Sequence, residues 1–158
     1  MTTNGARPVL VFAWGNPSRG DDALGPALLA MLETRQRETA GLDHVELLTD
    51  FQLQVEHALD LQGRERVLFV DASASAQAPY VLSALQPERD SSYTTHAMNP
   101  AAVLSVYEQI NGESPPPAFL LSIRGYEFGL GQPLSAQARG NLQAAFERAC
   151  EFLNNYPL

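Results

Sequence analysis

Three side chains that can carry out chemistry lie where loops meet the ends of predicted strands. Asp22 closes an Asp-Asp pair after the first apolar run, Asp71 ends the run 66–71, and His96 stands in a polar loop before a helix. Two carboxylates and a neutral imidazole can bind zinc or nickel and leave room for a further ligand. The same groups can act as general acids and bases. The sequence therefore predicts a site built from Asp22, Asp71 and His96.

The loop that carries Asp22 shares only its glycine spacing with a phosphate-binding loop. Gly15 and Gly20 are separated by four residues, but Asp21 and Asp22 occupy the positions where such a loop has Lys and Ser or Thr. Two carboxylates would repel a polyphosphate. One member of the pair is expected to cap the following helix, because a carboxylate there accepts amide protons and is favoured by the helix dipole. The other is then available for a cation.

The histidines and Asp71 also have ordinary structural interpretations. Asp71 can be a solvated residue that opens a loop, and an isolated loop histidine such as His96 usually has no function. A functional role is favoured because both are expected at the same edge of the sheet. His44 is predicted to lie at the opposite end of the second strand, and His57 on an exposed short helix. Neither of these two is assigned to the site.

Composition excludes several classes of function. The 158 residues are 45% hydrophobic and 18% charged, as expected for one globular domain spanning 1–158. The net charge of −8, with only ten Lys and Arg, argues against a nucleic-acid partner. The sequence contains neither a membrane-length apolar run nor a signal-peptide pattern, and its single cysteine, Cys150, is expected to be buried. We therefore expect a cytoplasmic protein without nucleic-acid or membrane partners, and by default a monomer.

Apolar runs alternate with helical patterns along the chain. Strands are predicted at residues 8–14, 45–49, 66–71, 80–85 and 118–123, and helices begin near Leu24, Gln54, Pro100 and Ser135. This alternation predicts an α/β fold, a three-layer sandwich with a twisted, mostly parallel five-stranded sheet flanked by helices. Ligands bind beyond the carboxyl ends of such strands. Loops 15–23, 50–54 and 71–78 and the His96 loop after the fourth strand are therefore expected to form the site.

In their order along the chain these features resemble a known family, the endopeptidases that mature the large subunit of nickel–iron hydrogenases. The resemblance rests on Gly15-Asn16, Asp21-Asp22, Val70-Asp71-Ala72, His96 before a helix, and the closing segment Gly131-Gln132-Pro133-Leu134-Ser135. It implies a compact α/β sandwich. It also implies that the family's metal-contacting acidic residue corresponds to Asp22, its strand-end aspartate to Asp71 and its histidine to His96.

The resemblance implies an aspartic-type endopeptidase that removes the C-terminal extension of a hydrogenase large-subunit precursor after nickel insertion. Asp22, Asp71 and His96 would contact nickel held by the precursor, so nickel is a recognition mark carried by the substrate and not a permanent cofactor. The metal can polarise the scissile carbonyl or activate water. Alternatively it only anchors the precursor, and an aspartate acts as general base. The residues do not choose between these mechanisms.

Two positions depart from the family pattern. Ala23 follows the acidic pair where the family often has Gly, and residues 49–54 replace a Gly/Thr-rich turn after the second strand. This stretch and residues 56–61 look like the branch that matures soluble, NAD-reducing hydrogenases. The departure concerns the choice of precursor more than the reaction. The roles of Arg19 and Asp50 are left open.

Two other functions fit the same residues. A nickel-dependent chaperone would bind the precursor without cutting it. A metallohydrolase acting on a small substrate would use the same ligands, although the sequence lacks the His-Glu-x-x-His helix of many zinc peptidases.

Overall fold

A five-stranded sheet forms the centre of the computed structural model, which describes residues 7–89 and 98–154. The strands are β1 (Val9–Trp14), β2 (Val45–Asp50), β3 (Arg66–Ser73), β4 (Tyr80–Leu85) and β5 (Ala118–Arg124). They lie in the order β2-β1-β3-β5-β4. The pairs β2–β1, β1–β3 and β3–β5 are parallel, and β4 runs antiparallel to β5 at one edge. The α/β prediction with a mostly parallel sheet is confirmed.

Helices cover both faces of this sheet. The α-helices are α1 (Leu24–Glu38), α2 (Pro100–Asn111) and α3 (Ala136–Asn154), and short 3₁₀ helices occupy Gly20–Ala23 and Val55–Leu61. The apolar faces of α1 and α3 pack together on one side of the sheet. The other side is covered by α2 and the 3₁₀ helix Val55–Leu61. The three-layer arrangement predicted from the sequence is therefore present.

The burial of β1 on both faces of the sheet explains why its sequence is a continuous apolar run. Its side chains alternate between the two cores, with Val9, Val11 and Ala13 on the α1–α3 side. Phe12 and its alternate neighbours Leu10 and Trp14 face the α2 side. A strand that is buried on both faces has no solvent-facing position for a polar residue. The central place of β1 thus follows from its composition.

Helix ends are marked by local capping. The Asn99 side chain accepts a hydrogen bond of 2.8 Å from the Ala102 amide, with Pro100 at the first helical position of α2. The Ser135 hydroxyl accepts one of 3.2 Å from the Ala138 amide at the start of α3.

Cys150, on α3, is buried as expected, and this burial raises the pKa of its thiol. In the described part of the chain, no helix has the length and apolarity needed to cross a membrane.

The direction of β4 corrects one expectation about the sheet edge. Leu85, the last residue of β4, is paired with Ala118, the first residue of β5. Strand β4 therefore ends at the amino edge of the parallel strands, and the loop after it does not start at the carboxyl edge. Met98 lies at the carboxyl edge again, because its amide donates a hydrogen bond of 3.2 Å to the Leu53 carbonyl beyond the end of β2.

Candidate functional site

The site region lies at the point where the sheet changes its direction of winding. Strand β1 leads to β2 on one side, whereas β3 lies on the other side of β1. Such a switch point opens a crevice beyond the carboxyl ends of the two central strands. The start of α1 lies directly on this edge. A Cβ at Gly25 would be 2.5 Å from the Trp14 carbonyl oxygen and 3.2 Å from that of Val70.

Asp71 lies at this crevice, one residue beyond the last pairing of β3 with β1. It is partly buried, whereas the five preceding residues of β3 are buried. Burial, and then the nearby charge of Asp22, raise the pKa of Asp71 from 3.8 to about 7, and a hydrogen bond from the Ala72 amide opposes this only in part. Asp71 can therefore gain or lose a proton near neutral pH, which an ordinary aspartate cannot do.

Asp22 reaches the same crevice from the 3₁₀ helix Gly20–Ala23. Its carboxylate oxygen Oδ2 accepts a hydrogen bond of 2.7 Å from the Asn16 amide. Gly15 makes this loop possible, because its φ is +147° and a Cβ there would overlap the Asp22 carbonyl oxygen. The turn thus holds Asp22 close enough to Asp71 for its charge to act on that carboxyl group. The structure brings together two of the three residues predicted for the site.

Asp21 has a different role from its neighbour. Its side chain is completely buried. Oδ2 accepts hydrogen bonds from the amides of Tyr126 (2.7 Å) and Glu127 (3.0 Å) and from the Ser135 hydroxyl (2.7 Å). Oδ1 accepts one from the Ser135 amide (2.7 Å). Asp21 therefore connects the loop after β1 to the segment between β5 and α3.

This network corrects the expectation that one aspartate of the pair caps the following helix. Neither the 3₁₀ helix nor α1 has a side-chain hydrogen bond at its N-cap. Burial by itself would raise the pKa of Asp21, but the hydrogen bonds from Ser135, Glu127 and Tyr126 outweigh it and hold the pKa below 3.8. Asp21 thus stays ionised inside the protein as a connector, and Asp22 faces the crevice.

His96, the third predicted residue, lies outside the described residues. The nearest described residue on its C-terminal side is Met98, which is buried in the core that contains Trp14 and Leu53. Among the described residues, no group of three His, Cys, Asp or Glu side chains is arranged to hold a metal ion. Asp22 and Asp71 are oxygen donors whose mutual repulsion a bound cation would relieve. They fit a metal ion as part of a set, with further ligands supplied from elsewhere.

A second acid–imidazole pair at this edge was missed from the sequence. The His57 Nε2 lies 3.2 Å from the Asp50 Oδ2, and the His57 Nδ1 accepts a hydrogen bond of 2.8 Å from the Gln54 amide. The ring packs edge-on against Phe12, with centroids 4.4 Å apart. The expectation that His57 is surface-exposed is wrong, since its side chain is 11% exposed. Asp50 ends β2 and His57 follows seven residues later, and this spacing was the signal in the sequence that could have indicated the pair.

His44 lies where it was expected, away from the crevice. Its backbone carbonyl accepts a hydrogen bond from the Val9 amide at the amino edge of the sheet. Its ring Nε2 lies 3.0 Å from the Leu153 carbonyl oxygen on α3. Its contacts are therefore structural.

Comparison with known proteins relates this fold to one group of solved structures. No protein-family model and no curated protein matches the sequence. The hydrogenase-maturating endopeptidase HybD from E. coli matches with a TM-score of 0.72 and 22% identity, over 94% of this chain and 93% of that chain. The nickel–iron hydrogenase maturation protease HycI from Thermococcus kodakarensis matches with a TM-score of 0.66 and 21% identity, over 96% of both chains. A hydrogenase 2 maturation peptidase from a Thaumarchaeota archaeon matches with a TM-score of 0.65 and 22% identity, over 93% of this chain and 98% of that chain. At these identities the likeness shows that the chain has the same fold.

Proposed function

We propose that this protein is an endopeptidase that removes the C-terminal extension of a nickel–iron hydrogenase large-subunit precursor after nickel insertion. The observation that carries the proposal is the Asp22–Asp71 pair at the switch-point crevice of a fold shared with proteins described as hydrogenase maturation endopeptidases. The similarity extends over at least 93% of this chain for the three neighbours described above.

The proton chemistry of Asp71 suits peptide hydrolysis. With a pKa of about 7 it is partly deprotonated at neutral pH and can accept a proton from an attacking water. The water oxygen then bonds to the scissile carbonyl carbon. As the carbon–nitrogen bond breaks, the same group returns the proton to the leaving amine nitrogen. Burial, and to a smaller extent the charge of Asp22, raises the pKa of Asp71 and keeps its carboxyl group basic enough to take the proton.

Nickel enters this proposal as part of the substrate. A nickel-loaded precursor would bring a cation to two carboxylates that repel each other, and His96 would add an imidazole ligand suited to that metal. Either nickel bound by both carboxylates would polarise the scissile carbonyl, or nickel bound by Asp22 and His96 would only hold the precursor in place and leave the Asp71 carboxylate free to act as base. In both cases the nickel identifies a precursor that is ready to be cut.

The test is cleavage of a hydrogenase large-subunit precursor by the purified protein, with and without nickel, followed by mass spectrometry of the products. We expect loss of a C-terminal peptide only from the nickel-loaded precursor, and no loss with Asp71→Asn. Asp43→Asn is the matched control, since Asp43 is an exposed aspartate just before β2 at the amino edge. Equal cleavage by Asp71→Asn and wild type would contradict the role of Asp71.

The same experiment separates the alternatives. A precursor that binds the protein but stays intact would indicate a nickel-dependent chaperone. A small-substrate metallohydrolase would retain a metal in the isolated protein, which metal analysis after gel filtration would detect. The Asp22–Asp71 pair supplies only part of a metal-binding set, and this favours a metal that is delivered by the precursor.

Finer assignments follow from the same proposal. The sequence of the segment after β2 supports a precursor of the soluble, NAD-reducing type, which a panel of precursors would test. The proposal also includes a single catalytic domain over 1–158, a cytoplasmic location and a monomeric enzyme. Gel filtration with light scattering tests the last of these.

A further inference from the structure

The loop that carries Asp22 is joined along its backbone to the segment between β5 and α3. The Gly20 amide donates a hydrogen bond of 3.0 Å to the Gln132 carbonyl, and the Asp21 amide donates one of 2.7 Å to the Glu127 carbonyl. These bonds do not involve the Asp21 side chain, which adds its own hydrogen bonds to the same segment. The loop is therefore attached to this segment by both its backbone and a buried carboxylate.

The two segments also pack so closely that only glycine fits at two positions. Gly20 has a φ of +55°, and a Cβ there would overlap the Glu127 carbonyl oxygen. A Cβ at Gly125 would be 2.8 Å from the Cβ of Asp21. The loop cannot move closer to the segment without a clash, and it cannot move away without breaking the hydrogen bonds.

Ser135 connects this arrangement to the start of α3. Its hydroxyl donates 2.7 Å to the Asp21 Oδ2 and accepts 3.2 Å from the Ala138 amide, while its own amide donates 2.7 Å to the Asp21 Oδ1. Helix α3 packs against the sheet through its apolar face. Asp21 is thus fixed against a long helix that is anchored in the core.

The position of Asp21 determines where the neighbouring carboxylate of Asp22 lies. The Asp22 amide donates to the Arg19 carbonyl (3.0 Å), and the Asp22 Oδ2 accepts from the Asn16 amide (2.7 Å). A shift of Asp21 would move this turn, and with it the distance between the carboxylates of Asp22 and Asp71. A displacement of about 1 Å within an active site can lower a rate about a hundredfold.

We infer that Asp21 and Ser135 are positioning residues, which hold the Asp22 carboxylate opposite Asp71 through hydrogen bonds to the start of α3. The inference rests on the proposed function, because it concerns the same pair of carboxylates. Neither positioning residue has to touch the precursor. Loss of their hydrogen bond should therefore slow the chemical step more than it weakens precursor binding.

The first test is the kinetics of precursor cleavage by Ser135→Ala. This variant loses the hydroxyl but keeps the backbone amide that also binds Asp21, so the protein should still fold. With the nickel-loaded precursor, kcat should fall about tenfold and KM should change less than about threefold. Ser135→Thr keeps a hydroxyl group and should restore a kcat close to that of wild type.

Gln36→Ala is the matched control for the loss of hydrogen bonds. The Gln36 side chain donates to the carbonyls of Leu42 (2.9 Å) and Val45 (2.8 Å), away from the crevice. Its replacement removes a comparable pair of hydrogen bonds and should lower the urea midpoint. Its kcat should equal that of wild type, because these bonds do not reach Asp22.

The second test measures backbone amide hydrogen exchange and needs no precursor. The Asn16 amide reports on Asp22 because it donates to the Asp22 carboxylate. Ser135→Ala should speed exchange at Asn16 about tenfold, as for the loss of one hydrogen bond. The Val9 amide, which donates to the His44 carbonyl at the amino edge, should keep its rate. A general loss of stability would instead speed exchange at both amides.

The outcomes separate this inference from the proposed function. Cleavage by Ser135→Ala with an unchanged kcat overturns the positioning role and leaves the peptidase standing, and a change in KM alone does the same. Unchanged exchange at Asn16, or equal acceleration at Asn16 and Val9, also overturns it. If wild type cleaves no precursor, the proposed function fails, and faster exchange at Asn16 alone would still support the hold of Ser135 on Asp22.

Discussion

Replacement of Asp71 by Asn should change how the stability of this protein depends on pH. The native pKa of Asp71 is about 7, compared with 3.8 for an unperturbed aspartate. Between these two values the folded state binds more protons than the unfolded state. Stability therefore falls as pH rises through this window, and it is highest below it. The difference between the two pKa values corresponds to about 4 kcal/mol over the whole window.

The change in the free energy of unfolding is also large over the pH range that is accessible to experiment. From pH 5 to pH 8 the loss attributable to Asp71 is about 2.5 kcal/mol, because part of the loss has already occurred below pH 5. Asn cannot ionise and is nearly the same size. The free energy of unfolding of Asp71→Asn should therefore be closer to that of wild type at pH 5 and clearly higher than that of wild type at pH 8. Other titrating groups contribute equally to both proteins and cancel in the difference.

Urea unfolding at several pH values between 5 and 8 measures this difference. Two parallel stability curves for wild type and Asp71→Asn would refute the assignment of a raised pKa. Asp22→Asn provides a second check, with the Asp71 titration followed directly by NMR of its carboxyl carbon. Because burial is the larger cause and the Asp22 charge the smaller one, the pKa of Asp71 should fall in this variant and still stay above 3.8.

Three further predictions concern the loop after β1 and the imidazole. Asp21→Ala should lower the free energy of unfolding by about 3 kcal/mol, measured in urea, because it removes the completely buried carboxylate that accepts hydrogen bonds from Tyr126, Glu127 and Ser135. Gly25→Ala should cost about 1–3 kcal/mol in the same assay, since its Cβ would press on the strand carbonyls; an unchanged midpoint would show that α1 can move away. His96→Ala should keep the wild-type urea midpoint and abolish precursor cleavage, and normal cleavage would remove His96 from the site.

The elements of this fold were predictable from the sequence because their signals are local. Strand β1 is continuously apolar since it is buried on both faces. Asn99 and Ser135 mark helix starts through hydrogen bonds to amides three residues away. Asp71 was placed at the crevice by its position at the end of an apolar strand. Each of these inferences depends on residues within a few positions of each other.

Other features were set only by contacts between distant parts of the chain. The family resemblance pointed to Asp22 for the site, but the Asp-Asp pair by itself does not reveal that Asp21 is the buried connector, because the donors to Asp21 are more than a hundred residues away. The direction of β4 depends on its pairing with β5, which periodicity does not encode. The contact between Asp50 and the largely buried His57 depends on how the segment after β2 folds back.

The chemistry of the site was likewise decided by the tertiary structure. The sequence by itself determined that one carboxylate stands in the loop after β1 and another near the end of β3, and that these strands lead both to one edge of the sheet. It did not determine that Asp71 has a pKa near 7, because that value arises from its depth in the crevice and from the charge of Asp22 across it. Residue types and local periodicity are properties of the chain, whereas burial and the distance between charges exist only once the chain has folded.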